Sequence, residues 1–181
     1  MNKKQLFLAI FIIGIMISSV IGFVYINPND TNTNSFDYNG FKFSLDANNN
    51  RYNVNVNGAN FIFDYDPREL NNIELPNFII RGQKYYILTN TTELDSNLDY
   101  SINKLRYNLG LLEILTFPAC INEQECNTNL PIKDCDTDAF YFKKSNINQV
   151  SLENKCIIIE GDTLGINQLV DKISLRLSGV E

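Results

Sequence analysis

The chain has 181 residues, 44% of them hydrophobic and 20% charged, with 15 basic and 21 acidic side chains, four cysteines, no histidine and no tryptophan. A net charge of −6 excludes binding driven by attraction to nucleic-acid phosphates. The missing imidazole excludes Ser-His-Asp hydrolysis and histidine-ligated metals, and the length excludes a large multidomain enzyme.

Residues 6–26 (LFLAIFIIGIMISSVIGFVYI) contain no charge. As a helix rising about 1.5 Å per residue they reach about 30 Å, the thickness of a hydrocarbon core. The sequence therefore predicts a transmembrane signal-anchor over 6–26, with the lipid bilayer as its partner. Lys3 and Lys4 precede it and the next basic residue is Lys42, so the positive-inside rule places residues 1–5 in the cytoplasm and the C-terminal domain outside. A cleaved secretory signal would have a shorter apolar core, with Val20-Ile21-Gly22 the one faint cleavage candidate. Residues 27–35 (NPNDTNTNS) are polar and read as a linker, leaving 36–181 as one extracytoplasmic domain. Setting Lys3 and Lys4 aside, 13 basic against 21 acidic groups give the outer part a charge of −8 (13 − 21).

In chain order, the outer domain predicts an α+β fold of antiparallel sheet with two packed amphipathic helices. Phe41–Leu45, Tyr52–Val56 and Phe61–Phe63 alternate with period two, the last two joined at Asn57-Gly58, and read as an antiparallel meander. Phe78–Leu88 reads as two strands bent at Gly82. Leu98, Ile102, Leu105, Leu109 and Leu112 recur at helical spacing after a Ser96/Asp99 capping-box-like start. Leu111–Phe117 reads as a buried strand, and Ala139–Lys144, Gln149–Leu152 and Lys155–Glu160 as three antiparallel strands. Asp162 or Thr163 starts a last helix with Ile166, Leu169, Val170, Ile173 and Leu177 on one face and Gly179 at its C′ position.

Cys120, Cys126, Cys135 and Cys156 are even in number and lie in the segment placed outside, which favours disulfides over a metal site. No C-x-x-C knuckle occurs and no histidine is present to complete a zinc site. Of the three pairings, Cys120 with Cys126 and Cys135 with Cys156 is preferred, the second tying the loop to a core strand. Asp134, Asp136 and Asp138 resemble the start of a calcium loop, but Ala139 and Ser145 stand where glycine and glutamate belong, so a solvated acidic turn is the reading and no metal is assigned.

The most distinctive polar cluster is Asp64, Asp66, Arg68 and Glu69 in FDYDPREL. Paired carboxylates could act as acid and base, whereas Asp-Pro after a strand more often starts a turn with the arginine paired locally. Asn29 and Asn90 fit the glycosylation pattern, about as many sites as 27 asparagines generate by chance. No P-loop or dinucleotide fingerprint occurs, so no cofactor and no catalytic residue are assigned.

FIFDYDPREL, the helix leading into TFPAC, the spaced cysteines, ENKCIIIEGD and the terminal helix ending LSGV together resemble an uncharacterised family of single-pass, membrane-anchored ectodomains from small-genome archaea. That resemblance implies one anchor and an extracytoplasmic domain, and supplies no activity. The sequence thus leads to a cell-surface domain that interacts with, or assembles onto, a cell-envelope protein. The alternatives are small-ligand or sugar binding in an aromatic pocket near Tyr52, Tyr65, Tyr85 and Tyr86, and a carboxylate-dependent envelope enzyme.

Overall fold

The computed structural model describes residues 35–124, 126 and 129–181. The anchor segment 6–26, the linker up to residue 34 and Asn29 lie outside them. Among the described residues no helix is long and apolar enough to cross a membrane.

The fold is α+β. Strands β1 (Ser35–Tyr38), β2 (Phe41–Asp46), β3 (Arg51–Val56) and β4 (Ala59–Phe63) form an antiparallel sheet in sequence order. Two of its hairpins close through two-residue Asn-Gly loops. Asn39-Gly40 and Asn57-Gly58 all have positive φ (49°, 81°, 53° and 87°), the geometry that matches strand twist and that asparagine and glycine tolerate. β1 begins inside the stretch read as linker; the Asn39-Gly40 pair was its signal. Phe43, Val54, Phe61 and Phe63 fill one face, each such side chain contributing about 1.5–3 kcal/mol on burial.

The second sheet has the order β6-β5-β7-β9-β8, from β5 (Lys84–Thr89), β6 (Leu115–Cys120), β7 (Ala139–Lys144), β8 (Gln149–Glu153) and β9 (Cys156–Gly161). Three of its four ladders are parallel, and β8 alone runs antiparallel to β9. This corrects the expectation of three antiparallel strands over 139–160. The connector 145–148 steps past the end of β9, a span of roughly 10 Å or two strand spacings, and the chain returns between its neighbours. Ser145 N–H donates to the Gly161 carbonyl at 2.9 Å and Asp162 N–H to Asn148 Oδ1 at 2.9 Å, fastening the step. Gly161 and Gly165 leave room there for the Asn148 side chain, which a Cβ on either would displace.

Residues 73–83 contain no strand, correcting the expected pair bent at Gly82. β5 already has neighbours on both sides, so this segment cannot pair with the strand it precedes; Phe78 and Ile80 pack on the core instead. Helix α1 (Ser96–Leu111) is capped by Asp95, one residue before the expected Ser96, whose carboxylate accepts from Asn97 and Leu98 N–H at 3.0 and 2.8 Å. Helix α2 (Thr163–Leu177) is capped by Asp162 and ends in a Schellman turn: Gly179 (φ 80°) donates to Arg176 O, and Val180 to Leu175 O. The helices pack on each other and on the inner face of the five-stranded sheet through Leu98, Leu105, Leu109, Ile166, Leu169 and Ile173. Their C-terminal ends, with Leu112, Leu175 and Val180, join the core of the four-stranded sheet.

Candidate functional site

The polar residues singled out in the sequence separate into two arrangements. Asp66 accepts Arg68 N–H at 2.9 Å and Arg68 Nε at 2.8 Å, and Glu69 N–H closes the turn on the Asp66 carbonyl at 2.9 Å. Arg68, ion-paired with Asp66, lies over the Phe36 ring at 4.0 Å. The arginine beside Asp66 holds its carboxyl below the usual range, against the opposing pull of burial. Glu69 is exposed and starts a short 3-10 turn, Glu69–Asn72.

Asp64 faces the other way, into a seam between the helices and the end of β4. Tyr100 and Lys104 come from α1, Asn167 and Asp171 from α2, and Arg51 from β3. Lys104 Nζ lies 2.8 Å from Asp64 Oδ2 and 2.6 Å from Asp171 Oδ1. The second contact is off the line of a hydrogen bond, but charge attraction needs only proximity. Tyr100 Oη donates to Asp64 at 2.8 Å, Asn167 Nδ2 at 3.0 Å, and Arg51 Nε lies 3.3 Å away. Asp171 Oδ2 accepts the backbone N–H groups of Asp64 and Tyr65 at 2.8 and 3.1 Å.

Burial dominates the titration of this seam. It pushes the Asp171 carboxyl up to about 6 despite Lys104, and it raises the Tyr100 phenol to about 12 together with the adjoining Asp64 charge. Burial pulls Asp64 upward as well, yet bonds from Lys104, Asn167 and Tyr100 bring it below the ordinary carboxylate range. The side chains of Lys104 and Asp171 are 5% and 0% exposed, so the charged pair is sealed from solvent. Its placement joins α1, α2 and β4, which is the work of a structural tie. Tyr100-Lys104-Asn108 and Asn167-Asp171-Ser174 recur at helical spacing, the one sequence signal that could have revealed the seam.

The cysteines form Cys120–Cys126 and Cys135–Cys156, the preferred pairing. Disulfides of this kind belong to oxidising, extracytoplasmic compartments. Asn90 Oδ1 accepts from Thr92 N–H at 3.0 Å and Thr92 Oγ1 at 2.6 Å, closing a turn after β5. Asp134 likewise accepts from Asp136 N–H, and no group of three candidate ligands converges on a metal position among the described residues. The four tyrosines do not line one pocket. Tyr52 and Tyr65 pack with the four-stranded sheet, Tyr85 is buried against Phe140, and Tyr86 lies on the opposite face of the larger sheet.

That opposite face carries a feature absent from the sequence reading. Leu115 and Phe117, expected inside a buried strand, are 62% and 41% exposed because β6 is the edge strand and alternates onto the face away from the helices. Phe117 pairs in register with Tyr86, ring centroids 6.2 Å apart. Lys84 Nζ stands 5.2 Å from the Tyr86 centroid and 4.9 Å from that of Phe117, and Lys133 Nζ stands 5.2 Å from Tyr86.

No family model matches the chain, no curated protein matches it in sequence, and no solved structure matches it.

Proposed function

We propose that this protein is a single-pass, membrane-anchored surface module whose disulfide-braced extracytoplasmic domain binds or assembles with another cell-envelope protein. The observation that carries the reading is the exposed apolar pair Leu115 and Phe117 next to the half-buried Tyr86, beside a loop fastened by both disulfides. Apolar side chains clustered in this way mark interaction sites more often than isolated ones do. The anchor over 6–26, its cytoplasmic N-terminus and the resemblance to archaeal envelope ectodomains agree with the same role. Asp64, Asp66 and Glu69 do not converge: Asp64 is held at the partly exposed end of the seam by Lys104, Tyr100 and Asn167, and Asp66 is paired in its own turn.

Gentle detergent extraction of the intact protein from its native membrane, followed by affinity isolation, tests this. Recovery of one envelope protein in fixed stoichiometry supports it, and repeated recovery of the chain alone contradicts it.

A small-ligand role keeps one specific observation. A cavity of about 220 Å³ at the carboxyl ends of β5 and β6 is walled by Ile87, Ile102 and Pro118, with Thr89, Thr91, Asp99 and Arg106 as polar lining. Parallel sheets commonly bind ligands at that end. A screen of amphipathic carboxylates by thermal shift, repeated on Arg106→Ala, tests it; a shift retained in the variant removes Arg106 from the role.

A further inference from the structure

We propose that the Tyr86–Phe117 face docks an acidic, apolar segment of the partner protein, its carboxylates taken by Lys84 and Lys133 and its apolar side chains by Phe117 and Leu115. This rests on the interaction-module reading and names the chemistry of its partner. The two lysines carry the inference. Residues beyond the anchor have an excess of acidic groups, 21 against 13 basic, yet neither Lys84 nor Lys133 has a carboxylate partner among the described residues. Both instead converge on one tyrosine ring, at 5.2 Å each. A lysine held over a ring keeps ammonium donors available to an incoming anion, while the ring fixes its stem. Around them Leu115 and Phe117 are 62% and 41% exposed, so the face pairs positive charge with apolar area.

The edge itself limits how a partner can bind. Cys120 turns its N–H and C=O outward to Pro131 and Lys133 at 3.0 and 2.9 Å, so Thr116 and Pro118 point to that edge by alternation. Pro118 has no N–H to offer an added strand. Recognition therefore falls to side chains on the face, where charge complementarity selects the partner. The domain's net negative charge opposes an acidic segment and an anionic membrane alike at long range, so the vesicle arm of the test separates the two.

The test uses the full chain in detergent micelles with three probes: a labelled peptide alternating glutamate and leucine, its lysine-for-glutamate counterpart, and vesicles of mixed phosphatidylcholine and phosphatidylglycerol. The acidic peptide should bind, weaken with added salt, and lose about tenfold or more in affinity on Lys84→Glu or Phe117→Ser. Lys42→Glu on the other sheet should leave binding unchanged. Equal binding of both peptides, equal loss in the Lys42 variant, or preference for the vesicles overturns the proposal. Affinity isolation of Lys84→Glu from native membranes separates this from the broader role: a partner still recovered leaves the module reading standing and removes this face from it.

Discussion

Lys104 and Asp171 lie 2.6 Å apart in the seam between the two helices, with 5% and 0% of their side chains exposed. Removing the cation leaves Asp171 without a counter-charge in a site that water does not reach, so the carboxyl must either stay charged there at high cost or take up a proton and give up its pairing. Lys104→Met should therefore cost about 3–5 kcal/mol. Asp171→Asn keeps an oxygen that can accept the Asp64 and Tyr65 N–H groups, so the double variant should lose less than the sum of the singles. Urea unfolding of the four proteins measures that coupling; additive losses would show that the pair does not act as a unit.

The same carboxylate predicts a pH dependence. Burial raises Asp171 from 3.8 to about 6 in the folded protein. Because the folded value lies above the unfolded one, folding takes up a proton between about pH 4 and 6, and the stability this lends is full below that window and declines as pH rises through it. Relative to Asp171→Asn, the wild type should thus lose stability from pH 4 to 6, with a slope of at most about 1.4 kcal/mol per pH unit. Asp64, lowered by Lys104, Asn167 and Tyr100 against its own burial, acts in the opposite sense below about pH 4, where protonation removes its contribution. Stability curves of the two proteins that run parallel between pH 4 and 6 would contradict the first assignment.

At the crossover beside β9, Gly165 has no side chain because Asn148 occupies the space, its Oδ1 accepting Asp162 N–H. Gly165→Ala should destabilise by about 1–3 kcal/mol through this overlap. In an Asn148→Ala background the overlap disappears and only helix propensity remains, so the same substitution should become neutral or stabilising by up to about 1 kcal/mol. Thermal unfolding of the pair decides it, since a penalty of equal size in both backgrounds would place the constraint elsewhere.

The disulfides close loops of different length, with separations of 21 and 6 residues. Replacing Cys135 and Cys156 by serine should cost about 3 kcal/mol, and replacing Cys120 and Cys126 about 2 kcal/mol. Denaturant titration under non-reducing conditions gives the order; the reverse order would mean that the short loop braces more than its own closure.

Local patterns were legible in the sequence where they fix a face or a turn. Period-two alternation and Asn57-Gly58 located β3 and β4, and Asp162 with Gly179 bounded α2. Partnership was not legible. Ala139–Lys144 and Cys156–Gly161 are short apolar runs that fit a parallel or an antiparallel neighbour equally well, and only the step through Asn148 makes them parallel. Leu115 and Phe117 look like core residues by type, and their exposure follows from β6 lying at an edge. Asp64 was legible as a candidate, but Lys104 and Asp171 stand more than 35 residues from it and look like solvent-facing charges until the helices meet.

The role assigned to the Tyr86–Phe117 face is tested most directly by photocrosslinking in the native membrane, with a benzophenone amino acid placed at position 117, at 42 or at 164. Leu164 is 68% exposed and lies at the start of α2, away from the Tyr86–Phe117 face. The prediction is one protein adduct of discrete mass from position 117, lost on Lys84→Glu, with only monomer from the other two positions. Monomer alone from all three, or the same adduct from all three, would contradict a partner docked on this face.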